Sequence, residues 1–371
     1  MSLLRFAIAY SCILISMISW SPMSIELSAS TKHTIKNGDA LEHERGWCSR
    51  GASRFASPIM YEPVSFDVLH YDVYLNLRAV PVPVTNGSTC RIVFRWTSTP
   101  DSLRVHLRSL RIDSACYLTK TGRIPVAAKS NGNDSTADFY YSLPALASHK
   151  QGDTVAVEIV YSGTMTSEPS VGGMSWGGVS RDQTDALYSL GVGFANAYVS
   201  CTQHWMPCYD VPADKASLHI RIESPRSCMA VSNGTLVKQT PVDSAGMVYE
   251  WDMKEECATY LMTFAVGPYI ETSQGVTSAG APILCYGKRS DTARFRNTFK
   301  NLARMVRTFE QRFAPYPFSK VGYVITNLGS MEHQTLICLA RGENQSLTDS
   351  VNKTVAHELA HQWFGDLVTP R

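Results

Sequence analysis

His357-Glu358-Leu359-Ala360-His361 is the stretch whose residue types and spacing could do chemistry. On an α-helix, residues four apart project from one face about a turn apart, so His357 and His361 can present two imidazoles to one Zn²⁺. Glu358 then faces a water on the metal's open side. Zinc lowers the pKa of such a water towards neutrality, and a carboxylate within hydrogen-bond reach can take its proton as the oxygen attacks a carbonyl carbon. Chance produces this pattern in a chain of this length on the order of 1% of the time. Val355, Ala356, Leu359, Ala360, Trp363 and Phe364 make the helix apolar nearly all round, unlike a surface helix. His and Glu side chains buried in such surroundings need partners, and one metal ion supplies them.

The helix that positions the pair is predicted over residues 349–364, ending at Gly365. Strands are expected before it at 283–286, 321–326 and 335–339. Between the first two, Phe295, Phe299, Leu302, Met305, Val306, Phe309 and Phe313 recur at spacings of three, four and seven. That rhythm predicts an amphipathic helix over 292–313, with Asp291 or Ser290 as N-cap and Pro315 and Pro317 beyond its end. Upstream, residues 66–77 alternate apolar and polar side chains as a half-buried strand does. Strand-length runs follow at 90–96, 103–107, 155–161, 216–222, 247–251 and 260–266, separated by turn residues such as Asn86-Gly87, Ser232-Asn233-Gly234 and Gly267-Pro268. The expected order is β, then α+β: a β-sandwich or saddle-shaped domain over 59–268 and an α+β domain over 269–371.

The 371-residue chain is 44% hydrophobic and 18% charged, an ordinary globular composition. Lys+Arg 34 against Asp+Glu 32 leaves a net charge of +2 with no basic run, so no nucleic-acid partner is expected. Arg5, an apolar stretch over 6–20 and the small residues Ser28-Ala29-Ser30 have the layout of a secretory signal peptide over 1–30. The stretch falls short of the roughly 20 residues a spanning helix needs, so export without a membrane span is expected. Polar, aperiodic residues 31–58 read as a linker or arm. Beyond the leader, nine cysteines remain, an odd number, predicting one or two disulfides and at least one free thiol. Asn86, Asn133, Asn233, Asn344 and Asn352 each begin an N-x-Ser/Thr triplet.

Three segments in order carry a family resemblance. His357 to Thr369, reading HELAHQWFGDLVT, resembles the zinc helix of the gluzincin aminopeptidases, peptidase family M1, of the membrane alanyl aminopeptidase and leukotriene hydrolase type. Gly329-Ser330-Met331-Glu332-His333, 28 residues upstream of His357, is similar to the family's Gly-x-Met-Glu-Asn motif. Trp205-Met206-Pro207-Cys208-Tyr209-Asp210-Val211-Pro212 resembles its Trp-Phe-Pro-Cys-Phe-Asp-x-Pro segment. The resemblance implies a thermolysin-like catalytic domain behind the β-domain, with His357 and His361 on one Zn²⁺ and Glu358 as general base. It further implies that Gly329, Ser330, Met331 and Glu332 form a strand edge on which a peptide pairs, with Glu332 binding the free α-amine. His333 replaces the usual Asn and is expected to donate a ring N–H to a peptide carbonyl, with substrate binding sensitive to pH if it titrates near neutrality.

On the same resemblance, the third zinc ligand is a Glu nineteen residues beyond His361, and an oxyanion-stabilising Tyr lies further on. Both would follow Arg371, so the sequence reads as the opening of a longer catalytic domain. The implied activity is removal of N-terminal residues from peptides with a free N-terminus. Two other readings fit the same residues: a truncated homologue that serves as a binding scaffold, and a related hydrolase of a non-peptide substrate.

Overall fold

The computed structural model describes residues 63–369 apart from 137, 170–174, 183, 184, 195–199 and 342–351. The expected leader, the whole of the arm, Cys48 and Asn344 lie outside the described residues.

The alternating stretch near the start forms the strand Phe66–Asn76, with Phe66, Val68, Tyr71, Val73 and Leu75 buried. It sits inside an eight-stranded sheet of order Thr235–Pro241, Gly246–Ala258, Lys215–Pro225, Phe66–Asn76, Val84–Trp96, Thr154–Thr164, Leu110–Thr119, Gly122–Pro125. A four-stranded sheet (Met229–Ser232, Phe264–Gly267, Ala186–Leu190, Gly178–Asp182) and a three-stranded one (Ser102–Val105, Tyr141–Pro144, Lys129–Ser130) complete the β-rich part. The Trp205 to Pro212 segment is a buried knot in this part. Asp210 accepts hydrogen bonds from the Ser200 and Thr259 hydroxyls and from the Gln203 N–H.

Several strands escape a reading by alternation. All five residues of Ala186–Leu190 are buried, so no period shows, and Leu110–Thr119 carries a register shift between Ile112 and Ser114. The run expected over 260–266 divides: Thr259–Leu261 is a single 3₁₀ turn and the strand begins at Phe264. Thr202 Oγ1 donates to the Thr259 carbonyl (2.6 Å) and Asn233 Nδ2 to that of Leu261 (2.9 Å), taking acceptors that a ladder would use. The expected disulfides do not form among the described residues, whose eight cysteines are all thiols; seven of them are buried and pack as small apolar groups. Asn233 is fully buried with its amide engaged, which removes it from the exposed glycosylation triplets.

After Gly267 the chain enters another sheet, Tyr269–Val276, Pro282–Lys288, Val321–Thr326, Ile337–Ala340, whose last three strands are parallel. Parallel neighbours need a crossover. Helices α1 (Thr292–Phe299) and α2 (Leu302–Arg312) supply the first one. The single helix expected here breaks at Lys300-Asn301, because Asn301 adopts the N-cap position of α2 with φ −106° and ψ 1°. Phe295, Phe299, Leu302, Val306 and Phe309 stay buried across the break, so the apolar rhythm carries no trace of it. Asp291 precedes α1, but its carboxylate pairs with Arg341 (2.9 Å) instead of capping the helix.

One apolar core lies within the β-rich part and extends to Met331, Leu336 and Cys338. A second fills the space between the mixed sheet and the helices. Lys320 joins the two parts: its side chain is fully buried, Nζ donates to the Ser232 carbonyl (2.8 Å), and the amine lies 4.3 Å from the Trp251 ring centroid. Burial pushes the Lys320 amine down to about 7, with Glu271 partly opposing. Between that value and the ordinary 10.5, only the unfolded chain holds the proton, so the lysine's contribution to stability rises with pH across the window. Denaturant unfolding of wild type and Lys320→Met should therefore diverge from pH 7 to pH 9 in favour of wild type. A difference that stays flat or shrinks would contradict the assignment.

Candidate metal centre

Helix α3 (Lys353–His361) starts at Asn352, whose side chain accepts the Val355 N–H (3.1 Å). Val355 and Leu359 are fully buried in the second core, and the Tyr323 hydroxyl donates to the Val355 carbonyl (2.7 Å). Trp363 anchors the end of the helix: its Nε1 donates to the Ala314 carbonyl (3.1 Å) and its ring packs edge-on against Phe309 and Tyr316. The expected apolar collar is incomplete, since Phe364 is 43% exposed. The last turn widens over Gln362–Leu367, and Gly365, at φ +144°, takes a conformation that side chains resist.

With its inner face fixed, α3 aims His357 and His361 at one point. Their Nε2 atoms lie 3.2 Å apart, with the rings nearly perpendicular at 86°. Two nitrogens at zinc's usual bond length of about 2.0–2.1 Å in a tetrahedron are separated by about 3.3 Å, so the pair fits one ion. His361 Nδ1 faces the Phe364 carbonyl at 3.1 Å. As a donor there, Nδ1 leaves Nε2 with its lone pair free for a metal. His357 is held below the usual imidazole range by burial first and by the neighbouring His361 second, which favours the neutral, ligating form. One carboxylate oxygen each from Glu332 and Glu358 joins a ring nitrogen of His361 in a cluster whose atoms all lie within 4.8 Å of one another. Glu358 is 6% exposed. Two imidazoles with carboxylates close by suit a borderline cation such as zinc.

The structure brings Glu332 to the imidazole pair and turns its neighbours elsewhere. Gly329 has φ +73°, a left-handed conformation that favours glycine, and an added Cβ would stand 2.4 Å from the Leu190 Cδ1 methyl, which would have to shift. Ser330 Oγ accepts the Ala340 N–H (3.0 Å). Met331, expected on a peptide-binding edge, spends its backbone N–H and carbonyl on Cys338, both at 3.0 Å, and buries its side chain in the β-rich core. His333 departs furthest from expectation. Its ring is fully buried, Nε2 accepts the Gly191 N–H (3.0 Å), and burial pushes its pKa down to about 3. It therefore neither faces a substrate carbonyl nor titrates near neutrality.

Gln362 and Asp366 are functional-site neighbours that motif reading passed over. Both are fully buried, and Gln362 Nε2 donates to Asp366 Oδ2 (2.7 Å). Burial pushes the Asp366 carboxyl well above the usual carboxylate range, with Glu332 adding to the effect. The available signal was an amide at 362 directly before the apolar pair Trp363-Phe364: such a group, once buried, must find partners.

Residues 67–261 match the family model described as the peptidase M1 N-terminal domain, and residues 297–371 match the one described as the peptidase family M1 domain. Human endoplasmic reticulum aminopeptidase 1 is 30% identical over 175 residues, covering 44% of this chain and 18% of the relative. Puromycin-sensitive aminopeptidase of Caenorhabditis elegans is 22% identical over 339 residues, covering 88% of this chain and 35% of the relative. The chain thus spans about a fifth to a third of the length of these relatives. Among solved structures, an M1 zinc metallopeptidase of Deinococcus radiodurans superposes with a TM-score of 0.68 at 21% identity, covering 82% of this chain and 65% of that one. A variant of that enzyme bound to a Tyr-Ser-Ala substrate gives 0.69, with coverage of 82% and 66%. The β-rich part followed by the opening of a metallopeptidase domain is the architecture these likenesses share. With the N-terminal-domain model matching residues 67–261, more than half of the 371-residue chain, the chain belongs to peptidase family M1.

Proposed function

We propose that this polypeptide acts as a zinc aminopeptidase that releases N-terminal residues from peptides. The observation that carries the reading is the 3.2 Å approach of the His357 and His361 Nε2 atoms beside the carboxylates of Glu358 and Glu332. When bound, one zinc ion would activate a water and polarise the scissile carbonyl. His357 and His361 would hold it, and the family resemblance supplies a third ligand, a glutamate nineteen residues after His361. Glu358, fixed by α3, takes the proton of the attacking water at a carboxylate oxygen and returns it to the departing amine nitrogen. Glu332 pairs with the substrate's α-ammonium. That pairing rewards a free N-terminus and offers a mid-chain amide nothing, which sets exopeptidase over endopeptidase action. The aminopeptidases among the relatives and the tripeptide complex of the Deinococcus radiodurans enzyme support the same substrate class.

The leader-like residues 1–30 further support export, with a mature N-terminus near Thr31. N-terminal sequencing of secreted protein should find it there; an intact Met1 on the recovered protein would refute cleavage.

In the full-length protein, Glu358→Gln should retain one zinc and lose about 10²–10⁴-fold in kcat. Zinc and activity lost together would mean that Glu358 is a ligand and not the base. Acetylating the α-amine of a substrate peptide should abolish its cleavage. Equal turnover of the acetylated peptide would remove Glu332 from amine recognition. Wild-type protein that binds zinc and turns over no peptide would favour a scaffold or a non-peptide hydrolase.

A further inference from the structure

Glu332 opens a tight turn that the rest of the molecule grips at every residue. The Leu336 N–H returns to the His333 carbonyl (3.1 Å), and Thr335 sits at φ +64°, a left-handed conformation that a β-branched residue adopts only under external restraint. His333 is tied to Gly191, as described above. Asn233 Nδ2 donates to the Gln334 carbonyl, and the Gly234 N–H donates to Thr335 Oγ1 (2.7 Å). These grips come from the β-rich part.

Gln362, the residue after His361, supplies the grip from the metal helix. Its Nε2 donates to the Glu332 carbonyl (3.0 Å) and to Asp366 Oδ2 (2.7 Å), with the His333 carbonyl further off at 3.4 Å. Its Oε1 accepts the Thr335 N–H (3.1 Å) and the Tyr316 O–H (2.9 Å). Both hydrogens of this buried amide are thereby used and its oxygen takes the Thr335 N–H, which fixes its orientation; the one Tyr316 hydroxyl hydrogen is shared between Oε1 and the Lys320 carbonyl (2.8 Å). One side chain spans the backbone of the amine-binding glutamate and, through its own backbone, the second imidazole.

We infer that Gln362 is the positioning residue that sets the distance between the Glu332 carboxylate and the metal helix, and so sets how strongly a free α-amine is recognised at the cleavage site. The inference rests on the amine-binding reading of Glu332 given above. Gln362 touches no reacting atom; it acts through the Glu332 main chain. Displacing a binding group by about 1 Å can cost as much as 10²-fold, so losing this tether weakens amine recognition without emptying the metal site.

The test uses the zinc-loaded full-length protein and two ligands, L-leucine and its des-amino counterpart 4-methylpentanoate, with Kd measured by calorimetry. Wild type should prefer the amine, and Gln362→Met should lower that preference at least about tenfold while leaving zinc content and the des-amino Kd within about twofold. Exchange of the Thr335 amide, read by hydrogen–deuterium exchange, should accelerate in the same variant. Gln362→Glu keeps the acceptor for Thr335 and has at most one hydrogen for the two acceptors on Glu332 and Asp366; it should lower the preference in the same direction, and it carries the test if the methionine variant does not fold. An unchanged preference in a folded, zinc-loaded variant would overturn the inference, as would equal weakening of both ligands. Glu332→Gln run in parallel separates the two layers. If it leaves the preference intact, the amine-binding role itself fails; if it removes the preference while the Gln362 variants keep it, only the tether fails.

Discussion

Two imidazole nitrogens 3.2 Å apart on half-buried rings are an arrangement that a helix does not hold without support. Each ring must lose its water, keep a lone pair pointed outward, and be prevented from rotating away. Helix α3 meets the first demand by burying Val355 and Leu359, so its opposite face cannot drift. The Phe364 carbonyl meets the second for His361, and the Trp363 anchor against Phe309 and Tyr316 limits the third.

The β-rich part is therefore more than an attached domain. Its contacts reach into the α+β part at the points where Glu332 is placed: Tyr188 Oη accepts the Leu328 N–H (3.0 Å), Gly191 binds His333, and Asn233-Gly234 clasp Gln334 and Thr335. Lys320 adds a tie in the opposite direction, from the mixed sheet to the Ser232 carbonyl. The placement of Glu332 and that of the imidazole pair thus depend on different parts of the chain, joined by buried hydrogen bonds whose loss would leave polar groups stranded.

Chemistry was more legible in the sequence than packing. The His357-Glu358…His361 spacing works because helical pitch alone brings positions four apart together, and no tertiary information is needed to see it. Strand Phe66–Asn76 was readable for the same kind of reason, a period of two against one buried face. The break at Asn301 was not, since the apolar stripe continues across it. Nor was the fate of His333: motif position alone suggests a substrate contact, whereas its orientation is decided by the Gly191 N–H, 142 residues away in the chain. Gln362 lay in plain view beside His361, but its value depends on four partners that only the fold assembles.

The claim that one transition-metal ion sits on His357 and His361 is tested most directly by zinc K-edge X-ray absorption on the full-length protein. The account predicts two imidazole nitrogens at about 2.0–2.1 Å, completed by oxygen, with no sulfur in the shell. A sulfur scatterer at about 2.3 Å would place the metal on one of the thiols instead, and a shell with fewer than two imidazoles would contradict the account outright.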